Sequence, residues 1–157
     1  MNNGLYSDKV IEYFRNPKNF GKMKNPTAEG VAGNIRCGDL MSLYLDVKKN
    51  SKGEEYIKDV KFQTFGCAAA IATSSAVTQL ARGKTIAEAL KLDKKDIIDL
   101  LGGLPPVKIH CSLLAIDALR EALYQYFVTS NKEIPKELSD IHKRVSDNRK
   151  HIEEHHS

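Results

Sequence analysis

"YIKDVKFQTFGCAAAIATSSAVTQLARG", residues 56–83, changes period in its middle. Before Phe65 the residues alternate, with Val60, Phe62 and Thr64 on one side and Lys61 and Gln63 on the other. That is the two-residue period of a strand with one buried face. After Cys67 the spacing turns helical: Ala70, Thr73, Val77, Leu80 and Ala81 share a side, and Gly83 fits as the stop. A strand therefore runs almost directly into a helix across Phe65, Gly66 and Cys67.

Upstream, "DLMSLYLDV" (39–47) alternates too, with Met41, Leu43, Leu45 and Val47 on one face. The turn-like "KNSKGEE" (49–55) joins the two runs into an antiparallel hairpin with one buried face. Residues 18–36 are rich in Gly, Pro, Asn and Lys and read as loop, with a short edge strand near 30–36. Ser7 caps a first helix carrying Val10, Ile11 and Phe14, which Asn16-Pro17 stops.

Downstream the pattern stays helical. Thr85 and Glu88 form a capping-box pair, and Asp93 caps a segment through Leu101 that Gly102-Gly103 ends. Residues 112–127 give the strongest helix, with Ala115, Ile116, Leu119, Ala122, Leu123, Tyr126 and Phe127 in a wide apolar stripe. The tail from 131 is highly charged, with Leu138, Ile141, Val145 and Ile152 on a narrow stripe. A helix of that length is marginal alone in water, so it docks on its own chain, docks on a second copy, or frays.

Strands followed by helices predict an α+β fold. A small antiparallel sheet of about three strands is covered on one face by helices. A long helix follows "LPPVKIHC", and a charged helical or flexible extension (131–157) follows a single domain (1–130).

At 157 residues, such a domain builds a core without staples. The 28% of charged residues and the net charge of +4 belong to a solvated surface with interleaved signs, which excludes a nucleic-acid footprint. No apolar run reaches the ~20 residues of a membrane span, and "MNNGLYSDK" has no signal-peptide core. The expected location is the cytoplasm.

The chain has three cysteines, Cys37, Cys67 and Cys111, an odd number with no Cys-x-x-Cys pair. This argues against a disulfide framework, a zinc ribbon and a thioredoxin motif. Each cysteine stands at an element boundary, and Gly38 and Gly66 neighbour two of them. Cys67 and Cys111 fall near helix N-termini, where the partial positive charge favours thiolate. Thiolates on loops suit soft metals and iron–sulfur clusters, and three are one short of the usual four. Asp39 and His110 are the nearest candidates for the fourth position. A carboxylate is a harder ligand than a thiolate, so its bond to iron is the more exchangeable one.

"RCGDLM", "FGCAAAIATSS" and "GGLPPVKIHCSLLA", with "YSDKVIEYFRNPKNFG" ahead of them, resemble the IscU / NifU N-terminal family of iron–sulfur cluster assembly scaffolds over about residues 5–128. Ala68 and Ala69 stand where that family often has Gly-Ser, and the charged tail lies outside the resemblance. The resemblance implies a scaffold and carrier, not a turnover enzyme. Cys37, Cys67 and Cys111 would hold a nascent [2Fe–2S] cluster, with Asp39 or His110 as fourth ligand or switch, and zinc would occupy the cluster-free form. Cys111 would accept sulfur as a persulfide from a cysteine desulfurase.

The loop Leu104, Pro105, Pro106, Val107 and Lys108 would be gripped by an Hsp70-type chaperone working with a J-protein. Ferredoxin or other apo-proteins would receive the cluster, and a homodimer is one expected assembly. The two prolines predict an extended, solvated loop ready for a groove-binding partner.

Two other readings use the same residues. The first is a structural zinc protein with Cys, Asp and His ligands. The second is a thiol enzyme built on Cys111 and His110, which meets the objection that neighbours at a helix start are expected to point apart.

Overall fold

Strands form where the two-residue period runs. In the computed structural model of the chain, the described residues are 6–33 and 38–156. Strands β1 (Ala28–Gly33), β2 (Leu40–Lys49) and β3 (Glu55–Thr64) make an antiparallel sheet in the order β1-β2-β3. The expected edge strand is β1, beginning two residues earlier than its spacing suggested.

Leu43 pairs with Phe62, Leu45 with Val60 and Met41 with Thr64, so the predicted apolar faces coincide. All six side chains are buried. Each of the large ones stabilises the fold by roughly 1.5–3 kcal/mol through removal from water. A register shift at Asp46/Val47 brings Ile57 into the same core.

Helices α1 (Asp8–Arg15), α2 (Ala68–Ala81), α3 (Ile86–Ala89), α4 (Lys94–Leu100), α5 (Ile109–Thr129) and α6 (Lys136–His156) complete the α+β architecture. Ser7 caps α1 by accepting from Val10 N at 3.1 Å. The side that α1 buries is Val10 and Tyr13, whereas Phe14 is 42% exposed. The alternative spacing of three from Val10 won over the spacing of four. The predicted capping box of Thr85 with Glu88 is present, and Asp93 caps α4 as expected, with Asp96 completing a second box that the sequence reading did not name.

The one-sided stripe expected for α2 is corrected by the structure. Ala69, Ala70, Ala72, Thr73, Ser74, Ser75, Ala76, Val77, Thr78 and Ala81 are all buried. The helix lies in the middle, between β3 and the helices α1, α4 and α5. Small side chains allow approach from every side, and their hydroxyls are satisfied locally. Ser74 Oγ donates to Ala70 O at 2.7 Å and Thr78 Oγ1 donates to Ser75 O at 2.6 Å.

Helix α5 crosses β1 at Gly30. A Cβ there would lie 2.2 Å from Ala122 N, so only glycine lets the two backbones meet.

The charged tail forms α6 and packs on α5 and β1 of its own chain. Leu138, Val145 and Ile152 are buried beneath it, and Ile141 is partly buried. On the same side, Arg144 donates two bonds to Asp117, at 2.8 and 2.9 Å. His142 Nδ1 lies 2.6 and 2.7 Å from the oxygens of Glu121, and a carboxylate only accepts, so this nitrogen carries the proton. The imidazole stacks on Tyr124, with centroids 3.9 Å apart. Asp117 and Glu121 are themselves almost fully buried. No helix among the described residues is long and apolar enough to cross a membrane.

Candidate metal and thiol site

Two helices deliver the thiols. Cys67 is the N-cap of α2, with extended backbone at φ −71° and ψ 177°. Cys111 sits in the first turn of α5. Their sulfurs are 4.0 Å apart. That is far from the ~2 Å of a disulfide bond. It is close to the ~3.8 Å between two thiolates sharing one tetrahedral metal at metal–sulfur distances of ~2.3 Å. The donor chemistry and the spacing therefore fit a soft metal or one iron of a cluster. Both helix N-termini add partial positive charge at the sulfurs.

Lys108 donates from Nζ to Cys67 Sγ at 3.8 Å. Negative charge on the Cys67 sulfur would push the Lys108 pKa up, with Tyr6 and Cys111 adding to the effect against slight desolvation. The ammonium thus stands where it would offset negative charge on that sulfur.

His110 Nε2 approaches Cys111 Sγ to 3.7 Å, so the two neighbouring side chains converge instead of pointing apart. The helical turn begins earlier than predicted, at a 3-10 turn over Pro106–Lys108 that leads into α5, and this rotates the pair together. Cys111 is also only 1% exposed. It packs with Ala69 and Ala70 under Tyr6, Cys67 and Leu104. Such burial leaves a peptide or thioester substrate no approach, which counts against the thiol-enzyme reading.

The loop is not extended throughout. Pro105 is extended, at φ −57° and ψ 141°, but Lys108 N donates to Pro105 O at 2.8 Å and closes the 3-10 turn. Val107, at its tip, is 72% exposed. Leu104 packs against the cluster of Ala69, Ala70 and Cys111.

Asp39 lies beside Gly66, the residue before Cys67. A Cβ on Gly66 would lie 2.7 Å from Asp39 Oδ2, so the carboxylate occupies the space beside the residue preceding Cys67. Cys37 lies outside the described residues. Among the described residues, no group of three or more Cys, His, Asp and Glu side chains is assembled as a ready metal cage. The structure brings Cys67, Cys111, His110 and Lys108 together and sets Asp39 against Gly66.

Two residues of the site were missed in the sequence. Tyr6 covers the thiols, and its position just ahead of the Ser7 cap was its only signal. Thr73 Oγ1 donates to Cys111 O at 3.2 Å, a link hidden in the small-residue run.

The profile of the family described as "NifU-like N terminal domain" matches residues 5–134. This chain belongs to that family. It is 54% identical over 128 residues to iron–sulfur cluster assembly scaffold protein IscU 1 of Archaeoglobus fulgidus, covering 82% of this chain and 80% of that one. With the IscU scaffold protein of Aquifex aeolicus the identity is 42% over 127 residues, covering 81% and 79%. The nitrogen fixation protein NifU of Trichormus azollae is 46% identical over 127 residues, 77% of this chain but 41% of that longer protein.

Among solved structures, an iron–sulfur cluster assembly scaffold assigned to the SUF system of Fervidobacterium islandicum superposes with a TM-score of 0.59 at 28% identity. It covers 75% of this chain and 96% of that one. The NifU-like N-terminal protein of Brucella abortus, at 19% identity and TM-score 0.58, shows the fold alone. Helix α6 begins just beyond the matched range.

Proposed function

We propose that this protein is a scaffold on which an iron–sulfur cluster is assembled and from which it is passed on, a carrier with no turnover chemistry of its own. The observation that supports this most is the 4.0 Å separation of Cys67 and Cys111 at two helix N-termini, with the Lys108 ammonium beside them. Relatives named as scaffolds, matched over four-fifths of the chain, support the same reading.

The finer reading is a [2Fe–2S] cluster held by Cys37, Cys67 and Cys111, with Asp39 or His110 in the fourth position. Three thiolates and one weak oxygen or imidazole ligand suit a cluster that must leave. Cys111 accepts sulfur from a cysteine desulfurase. Its thiolate attacks the outer sulfur of the donor's persulfide, the donor S–S bond breaks, and the donor leaves as a thiolate. Reduction of that sulfur to sulfide takes two further electrons from an external reductant.

Leu104 packs against the cluster that buries Cys111, and on this reading a shift of the Leu104–Lys108 loop opens the thiol to incoming sulfur. A chaperone of the Hsp70 class with its J-protein, gripping that loop, would withdraw Leu104 and Lys108 from the thiols together. Ferredoxin-like apo-proteins are the proposed recipients. Zinc fits the cluster-free protein equally well, since it shares the same sulfur spacing.

Anaerobic reconstitution with iron, cysteine and a desulfurase tests this, read by ultraviolet–visible and Mössbauer spectroscopy. A brown [2Fe–2S] protein is expected, and serine at Cys37, Cys67 or Cys111 should sharply lower its yield. A protein that keeps zinc, stays colourless and takes up no cluster would overturn the proposal.

A further inference from the structure

Helix α6 ends against the hairpin that carries Asp39. Arg144 meets Asp117 and His142 meets Glu121, so α6 runs antiparallel to α5. Continuing that register brings Ile152 level with the first turn of α5, where His110 and Cys111 sit. The Ile152 side chain is 2% exposed. A Cβ built on Gly33 would lie 2.5 Å from Ile152 Cδ1 and 2.8 Å from Leu40 Cδ2. Gly33 and Leu40 are paired across β1 and β2. Three residues from three elements thus fill one space at the end of the ladder.

Asp39 is the next residue along. Its carbonyl oxygen is 3.6 Å from the same Cβ position, and its carboxylate rests against Gly66, the neighbour of Cys67.

We propose that Ile152 is a positioning residue for the thiol site: wedged between Gly33 and Leu40, it sets where Asp39 stands beside Cys67. Close-packed interiors transmit such a constraint because a missing methyl group leaves a gap into which neighbours shift. The consequence for a bound cluster rests on the scaffold reading above, whereas the packing does not. Helix α6 is then more than a cover for the sheet edge. Its last turns tune the most exchangeable of the proposed ligands.

The test compares Ile152→Ala with Leu138→Ala in the full chain. Leu138 is buried to a similar degree at the opposite end of the same helix, where it lines a small cavity with Leu90 and Arg120. Amide hydrogen exchange at residues 40–42 is read in the cluster-free protein, and cluster loss to a chelator after reconstitution. Ile152→Ala should speed exchange there about tenfold and shorten the cluster's lifetime several-fold, while Leu138→Ala lowers the melting temperature without either effect. Ile152→Val should show both effects in the same direction at a smaller, still measurable size, and it carries the comparison if Ile152→Ala does not fold.

Equal effects in the two alanine variants, or unchanged exchange in Ile152→Ala, would overturn the inference. Faster exchange in a protein whose parent takes up no cluster upholds the positioning and sinks the scaffold reading. A parent that holds a cluster lost at the same rate from Ile152→Ala does the reverse.

Discussion

Gly66 sets the site by what it lacks. A side chain there would meet Ala70 Cβ at 2.5 Å and Asp39 Oδ2 at 2.7 Å. Gly66→Ala should therefore cost about 1–3 kcal/mol through overpacking and push the carboxylate away from Cys67. Asp39→Ala removes the carboxylate without the clash. If Asp39 is the exchangeable ligand or the gate for release, both variants should slow cluster transfer to an apo-ferredoxin more than they slow assembly. Transfer at the parent rate in Asp39→Ala would end that role. At this scale the sequence marked candidate residues but not how they are arranged. Boundary positions marked Cys67, Cys111, Asp39 and His110. Cys111 is buried in a cluster with Ala69 and Ala70, against which Tyr6, more than a hundred residues away in the chain, also packs, and no local pattern reports such a contact. The convergence of His110 on Cys111 depended on where α5 begins, and the two prolines hid the 3-10 turn that starts it.

Strands and capped helices were legible because their signals are local. A two-residue period specifies a buried face, and Thr85 or Asp93 announces a helix start. Helix α2 was only half legible, since alanine, serine and threonine carry little contrast between faces, and its burial on every side comes from the neighbours it gathers. The contact of α5 with β1 has the same character. Gly30 stands at the start of the edge strand expected from the sequence, where no local pattern marks it as the point at which two backbones touch. Gly30→Ala should force β1 and α5 apart and destabilise the fold by about 3 kcal/mol, seen as a lower urea midpoint. The short helix α3 gives a pH test. The Thr85 backbone N–H, then its hydroxyl, hold the Glu88 carboxyl below its usual pKa. A folded pKa below the unfolded one gives stability that is present above the unfolded value and lost as pH falls through the folded one. The parent should thus melt above Glu88→Gln at neutral pH, and the difference should vanish on the acid side of the carboxylate range. A difference that persists there would mean that the cap does not depend on the charge.

The molecule closes through α6. The narrow stripe of Leu138, Val145 and Ile152 could not say by itself whether it docks, because the deciding partners, Asp117 and Glu121, lie on the face of α5 that the sequence presents as polar. Two ways of removing the latch should differ in kind. Truncation after Thr129 takes away the apolar stripe but also returns Asp117 and Glu121 to water, so no charge is left stranded. Its cost is the lost burial of three aliphatic side chains, set against the entropy of ordering the helix. Arg144→Ala keeps the helix in place and leaves the Asp117 side chain, 5% exposed, without its two bonds. Losing one partner of a buried pair costs about 3–5 kcal/mol, and the partial exposure of Arg144 screens this to about 2 kcal/mol. At this chain length that is a fall in melting temperature of roughly 4–8 °C. Adding Asp117→Asn to Arg144→Ala should recover part of the loss, because a neutral amide tolerates the site better than an unpaired carboxylate. If the double variant melts no higher than the single one, Arg144 holds α6 by packing along its aliphatic stem, and the charge pair contributes little to the latch.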